Sequence, residues 1–271
     1  MLADLHLHTT ASDGTWTPEE LVEEARKAGL SAIAISDHDT TQGIHDAKRV
    51  APPDLQVIPG IELSTSTVEG EEVHILGLWI NPGYEPLQQT LADLREERVS
   101  RVHAIIERLA SLEIHLEYED ILKFAHEDVV SRSHIAAAMV EKGVVGSKQE
   151  AFERYIGQGQ PAYVMRHKLT LEEAVRLILE SGGVPVLAHP GLLKDLSILP
   201  QLIQAGLVGI EVVHHSHSKE QTNRFMQVAK EHGLLPSGGS DCHGPGGKDA
   251  IYLGRYSIPW QWMEELASRR K

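Results

Sequence analysis

The 271-residue sequence is short of cysteine and of positive charge, and it contains no long apolar run. Its single cysteine, Cys242, excludes an intramolecular disulfide framework and fits a reducing compartment. Nowhere does it reach the roughly 18 consecutive apolar residues of a membrane-spanning helix. Its start carries no basic segment followed by an apolar signal core, so the expected location is the cytoplasm, with no membrane partner. Lys and Arg number 25 against 39 Asp and Glu, a formal net charge of -14, which argues against a broad basic surface that coats duplex nucleic acid. A phosphorylated substrate remains compatible, because bound divalent cations and a few arginines can reverse the potential inside a cleft. Hydrophobic content of 41% and charged content of 24% are those of an ordinary globular protein, and the length suits one large domain or a barrel with an insertion.

What the sequence does have is histidine, 16 residues of it. In "DLHLHTTASDG" His6 and His8 alternate with Leu5 and Leu7, so on a strand the two imidazoles share a face. They read either as metal ligands or as polar positions on a solvent-facing edge strand. The surrounding rhythm is βαβ: strand "ADLHLH", helix "TPEELVEEARKAG", strand "SAIAISD", helix "TQGIHDAKRVA", then strands "LQVIPGIELS" and "EEVHILGLWI". Thr17 as N-cap, Pro18 in the first turn and Gly29 past the end mark the first helix. This rhythm predicts a parallel sheet or barrel. From Tyr84 to Lys168 it gives way to consecutive helical patterns, with Leu91, Leu94, Val102, Ile105 and Leu109 on one apolar face, which reads as an all-helical insertion. The βα alternation then resumes through "VPVLAHP", "LVGIEVVHH" and "LLPSGGSDCH". The expected domains are a barrel over 1–83 and 169–271 and a helical insertion over 84–168 that covers the active site.

Most of the unusual polar residues fall at or just past the C-terminal ends of strands, where barrel enzymes assemble their sites. His6, His8 and Asp13 follow the first strand, His38 the second, and Glu62 ends the third; His74 lies in "VHILG", His189 in "AHP", and Asp241 and His243 in "SDCH". Singly, His74 could be a satisfied core histidine and Asp13-Gly14 a turn. Together, six imidazoles and three carboxylates buried near one barrel end would leave costly unsatisfied groups unless metals took them. Nine ligands suit two or three divalent ions sharing a carboxylate, and mixed nitrogen and oxygen ligation fits Mn, foremost, with Zn or Fe as alternatives. In "SRSHIAAAMVEKG", Arg132 and His134 open a helix; they could hold a phosphate through the planar guanidinium and the helix N-terminus, or form a solvated helix start. Arg166, His167 and Lys248 could contact phosphate on the ground of charge alone, and one of His214, His215 and His217 could face the site. Cys242 reads as a small buried residue.

The ordered set "DLHLHTTASDG", "ISDHD", "PGIELS", "VHILG", "AHP" and "SDCH" resembles the successive motifs of the PHP (polymerase and histidinol phosphatase) domain family of metal-dependent phosphoesterases. The resemblance spans nearly the whole chain outside the insertion and implies an α/β fold, a distorted (β/α)7 TIM-like barrel with a trinuclear site. By it, one metal takes His6, His8, Glu62 and Asp241, a second Asp13, His38 and His243, and a third Glu62, His74 and His189, with Glu62 bridging. No ligand of the pattern is missing. "SRSHIA" resembles the "SRPHIA" element of the subgroup that hydrolyses nucleotides, which assigns Arg132 and His134 to the substrate phosphate and, with Asp13 and His38, to the catalytic set. The implied activity is hydrolysis, by a metal-activated water, of nucleoside 3',5'-bisphosphates or of 5'-phosphorylated short single-stranded oligonucleotides. Asp37 or Asp39 would orient ligands. The alternatives are a small-metabolite phosphatase of the histidinol phosphate type and a non-catalytic binding module.

Overall fold

Strand and helix follow each other because the sequence switches between apolar runs rich in β-branched residues and amphipathic segments with capping signals. The computed structural model describes residues 1–124, 130–165, 168–245 and 252–270. In chain order the elements are β1 (Leu2–Leu7), α1 (Pro18–Lys27), β2 (Ala32–Ile35), α2 (Gly43–Val50), β3 (Gln56–Ser66), β4 (Glu72–Leu78), α3 (Glu85–Ala110), α4 (Tyr118–Leu122), α5 (Arg132–Glu141) and α6 (Lys148–Ala151), then α7 (Leu171–Glu180), β5 (Val184–Leu187), α8 (Leu199–Ala205), β6 (Gly209–Val213), α9 (Lys219–His232), β7 (Leu235–Gly238), β8 (Ile258–Pro259) and α10 (Trp260–Ala267). Thr17 caps α1 as the sequence indicates: its hydroxyl accepts the Glu20 N–H, while the Glu20 side chain accepts the Thr17 N–H. Among the described residues no helix is long and apolar enough to cross a membrane.

The chain divides into two compact units, Met1–Gln89 with Lys168–Lys271, and Thr90–His167. In the first, eight strands form one sheet in the order β7-β6-β5-β4-β3-β2-β1-β8. Strands β1, β2 and β3 run parallel, as do β5, β6 and β7, while β4 is antiparallel to both its neighbours and β8 antiparallel to β1. The sheet curls into a nearly closed mixed barrel. The barrel expected from the βα rhythm is present, and β4 adds an antiparallel strand to it. Only a short turn joins β3 to β4, with Thr67 N–H on the Glu71 carbonyl at 2.9 Å, and a turn that short can make a hairpin but not a crossover. Leu5, Ala34, Ile58, Leu76 and Val186 belong to one buried cluster with Met263 and Leu266 of α10, and each such Leu or Ile contributes about 1.5–3 kcal/mol by leaving water.

The second unit is helical. Ile105 and Leu109 of α3 pack with Ile135 and Met139 of α5 and with Ile156, in a core of its own.

The barrel seam depends on close backbone approach. Beyond β7 the chain runs beside β1, where Asp241 N–H donates to the His6 carbonyl at 2.9 Å and His8 N–H to the Cys242 carbonyl at 3.1 Å, and Cys242 is fully buried there. At Gly239 a Cβ would lie 2.5 Å from His6 N and 2.6 Å from His6 Cβ, so only glycine permits the contact. Gly239→Ala is therefore expected to lose ~3 kcal/mol or more in urea denaturation, since backbone cannot yield as a side-chain tip can. Gly29, at φ +74 with open space around it, is the comparison: Gly29→Ala should lose only about 1–2 kcal/mol. Equal losses would contradict the seam.

Candidate active site

The nine residues marked as ligands from the sequence all lie in the first unit. His6 and His8 leave the end of β1, fully buried rather than facing solvent as an edge strand would place them. His38 follows β2 and bridges to Glu62. Glu62 does not end β3, which continues to Ser66; past Pro59 the strand pairs chiefly with β4, and this hairpin extension carries the carboxylate. The register that sets Ser64 opposite His74 makes Glu62 and His74 diagonal neighbours on one face. His189 follows β5, and Asp241 and His243 follow β7.

Glu62 is the hub. Its Oε2 lies 3.3 Å from Nε2 of His6 and of His8 and 3.0 Å from His38 Nδ1, while its Oε1 lies 2.9 Å from His74 Nδ1 and 3.0 Å from His189 Nε2. Asp241 Oδ1 lies 3.3 Å from His6 Nε2 and 3.0 Å from His8 Nε2, closing a quartet of His6, His8, Glu62 and Asp241. Half-exposed Asp13 stands 3.3 Å from His243 Nε2 and 3.8 Å from His38 Nε2, with His8 Nδ1 at 3.7 Å. Within the quartet the Nε2 atoms of His6 and His8 and Oε2 of Glu62 are buried without a hydrogen-bond partner. An orphaned buried polar atom costs about 1–3 kcal/mol. Ligand atoms about 2.0–2.1 Å from one tetrahedral ion lie about 3.3–3.4 Å apart, close to the separations seen. The donor set thus fits a divalent cation.

Charge around the hub follows from burial against pairing. Burial alone would push the Glu62 carboxyl up, yet the surrounding imidazoles of His38, His74 and His6 hold it well below its ordinary value. Burial likewise opposes protonation of His74, but the charge of Glu62 and its hydrogen bonds to Glu62 and Glu72 push it up to about 10. For His243, burial is outweighed by Asp13, and the group is pushed up to about 9. At His38 burial dominates, bringing it down to about 4. The backbone is strained here too: Asp39, His189 and Asp241 hold φ of 51, 26 and 53°, left-handed values that cost such residues about 1–3 kcal/mol each.

Several neighbours have supporting roles. Asp37 accepts the Thr9 N–H at 2.7 Å and the hydroxyls of Thr9 at 2.8 Å and Ser12 at 2.7 Å, so it pins the loop that carries Asp13. Asp39 accepts the Ser64 N–H at 2.8 Å. Of the loop histidines, His214 is buried with Nε2 3.3 Å from Asp241 Oδ2, His215 lies 2.9 Å from the Ser240 carbonyl, and His217 bridges the Val212 carbonyl and the Gly191 N–H. Two buried carboxylates escaped the sequence reading. Asp4, pushed up to about 7 by burial, accepts the Ser240 N–H at 2.9 Å, and Glu211 lies 3.1 Å from His6 Nδ1. The available signal was a lone acid inside an otherwise apolar strand, "LVGIEVV" and "MLADLHL".

Arg132 and His134 lie in the helical unit, in the first turn of α5. The Arg132 guanidinium sits 5.5 Å from the ring centres of both Phe152 and Tyr163, with Nη1 3.4 Å from the Ile156 carbonyl. Arg166, His167 and Lys248 lie outside the described residues.

Over residues 4–177 the chain matches the family model of the PHP domain. It is 38% identical over 254 residues to the 5'-3' exoribonuclease Rnm of Salmonella typhimurium, covering 90% of this chain and 86% of that protein. Similarity to the 3',5'-nucleoside bisphosphate phosphatase of Chromobacterium violaceum is 34% over 250 residues, 90% of this chain and 87% of the other. A crystal structure from Bifidobacterium adolescentis, assigned as a metal-dependent phosphoesterase, superposes with a TM-score of 0.84 at 34% identity, over 99% of this chain and 96% of that one.

A protonated imidazole must release its proton before it can ligate. With His74 and His243 pushed up to about 10 and about 9, both hold protons at neutral pH in the metal-free protein. Divalent-ion uptake near pH 7 is therefore expected to release protons and to tighten as pH rises. Calorimetry in buffers of differing ionisation enthalpy reads this; binding without proton release, or tightening on acidification, would contradict it.

Proposed function

Because the chain belongs to the PHP domain family, and is accordingly a metal-dependent phosphoesterase that works with divalent cations, we propose that it hydrolyses phosphate esters of nucleotides. Its substrates in this reading are nucleoside 3',5'-bisphosphates and 5'-phosphorylated short single-stranded oligonucleotides. The observation that carries the reading is the set of unpartnered buried atoms of His6, His8 and Glu62, in a chain whose relatives include an exoribonuclease and a bisphosphate phosphatase of nearly its own length.

His6, His8, Glu62 and Asp241 would hold one ion, Asp13, His38 and His243 a second, and Glu62, His74 and His189 a third, with Mn the first choice and Zn or Fe the alternatives. When bound, such ions supply an activated water and neutralise charge developing on the phosphoryl oxygens. The protein's own groups do the rest. Asp37 keeps Asp13 in place by tying down its loop. In the helical segment, Arg132 offers two parallel N–H donors to phosphate, and Phe152 and Tyr163 flank its guanidinium. His134, or one of the histidines at 214 to 217, serves the departing oxygen. The single cysteine supports a cytoplasmic setting.

Phosphate release by Mn-loaded protein tests this across a nucleoside 3',5'-bisphosphate, a 5'-mononucleotide, a 5'-phosphorylated oligoribonucleotide and histidinol phosphate. The bisphosphate or the oligonucleotide is expected to be preferred, and preference for histidinol phosphate would overturn the substrate class. Asp13→Ala is expected to lower kcat more than ~100-fold, beyond the loss typical of a residue that merely supports a ligand. Arg132→Ala should raise KM for the bisphosphate about tenfold or more, and Arg132→Lys should not restore it, because a point charge lacks the fork.

A further inference from the structure

Strand β6 contributes none of the nine ligands, yet it carries a fully buried carboxylate, Glu211. The two oxygens of that carboxylate serve two different ligands. Oε1 lies 3.1 Å from His6 Nδ1, and Oε2 accepts the backbone N–H of His189 at 2.6 Å. His6 comes from β1 and His189 from the loop after β5, so β6 supports from a third strand two ligands that also meet at Glu62. His189 needs such an anchor, because its φ of 26° lies in the left-handed region that a histidine seldom adopts.

Oε2 is taken by the His189 N–H, and Oε1 can pair with His6 as an acceptor, which places the imidazole proton on the Nδ1 that faces it. The nitrogen left bare when an ion binds is then Nε2, the atom 3.3 Å from both Glu62 Oε2 and Asp241 Oδ1.

We propose that Glu211 is a positioning residue of the metal centre: one carboxylate that fixes the tautomer of His6 and the backbone of His189, and so couples two ligand sets that share Glu62. The proposal rests on the metal reading given above. Its chemistry is specific to a carboxylate. A glutamine of the same shape has one acceptor and one donor, so it must either turn its NH2 toward His6, placing the proton on Nε2, or turn it against the His189 N–H, where two donors meet.

The test is Zn and Mn affinity of full-length wild-type and Glu211→Gln protein, by competition with a chelating indicator, with circular dichroism as the check on folding. Loss of the partner behind a ligating histidine is worth about 10–100-fold in metal affinity, and that loss is expected in Glu211→Gln. Nitrogen-15 NMR of the Zn-loaded wild type supplies a second readout that needs no variant, and His6 is expected with its proton on Nδ1. Tight wild-type binding with a folded variant within threefold of it would overturn the role of Glu211 alone, as would a His6 protonated on Nε2. If Glu211→Gln does not fold, the tautomer decides. A wild-type protein that takes up no divalent ion would overturn the metal reading along with this one.

Discussion

Glu62 is an ionised carboxylate buried among the imidazoles of His6, His8, His38, His74 and His189. In water such a group would be solvated by many dipoles; inside the barrel it has nitrogens within about 3.3 Å and almost no solvent. Removing the histidines would leave a bare buried anion, and removing Glu62 would leave several basic rings crowded together with nothing between them. Neither half is stable without the other, and together they still leave atoms without hydrogen bonds. In the proposed reading, cations at the centre would take up those atoms.

The architecture serves that constraint. Parallel strands bring His6, His8, His38, His189 and Asp241 to one barrel mouth, and the hairpin of β3 and β4 brings Glu62 and His74 to the same place from the one antiparallel strand among the first seven. The seam between β1 and the segment after β7 then fixes the distance from His6 and His8 to Asp241, with Gly239 permitting the approach. Left-handed backbone at Asp39, His189 and Asp241 aims side chains that regular strand geometry would not aim, and hydrogen bonds to Asp37, Asp39 and Glu211 hold the loops that carry them.

The barrel and the convergence of these residues were legible because polar residues at strand ends stand out against apolar runs, and because His6 and His8 alternate with leucines. The direction of β4 was less so: two strands in succession imply a hairpin, yet the βα rhythm around them points to a parallel sheet. The two-residue β8 carries no periodic signal at all. Glu211 and Asp4 were missed because a single acid in a strand belongs to no spacing pattern; its meaning comes from a partner 205 residues away in the case of His6 and Glu211. The histidines at 214, 215 and 217 were ambiguous for the same reason, since only the fold separates His214 beside Asp241 from His217, which ties two backbone segments together.

In the proposed chemistry Glu62 is the shared group of a centre with more than one ion. The most direct measurement is the number of Mn ions bound per chain, by elemental analysis after equilibrium dialysis, in the wild type and in Glu62→Gln. The prediction is two or three ions in the wild type and at most one in the variant, with secondary structure retained. Wild-type stoichiometry of one or none, or a Glu62→Gln protein that binds as many ions as the wild type, would contradict it.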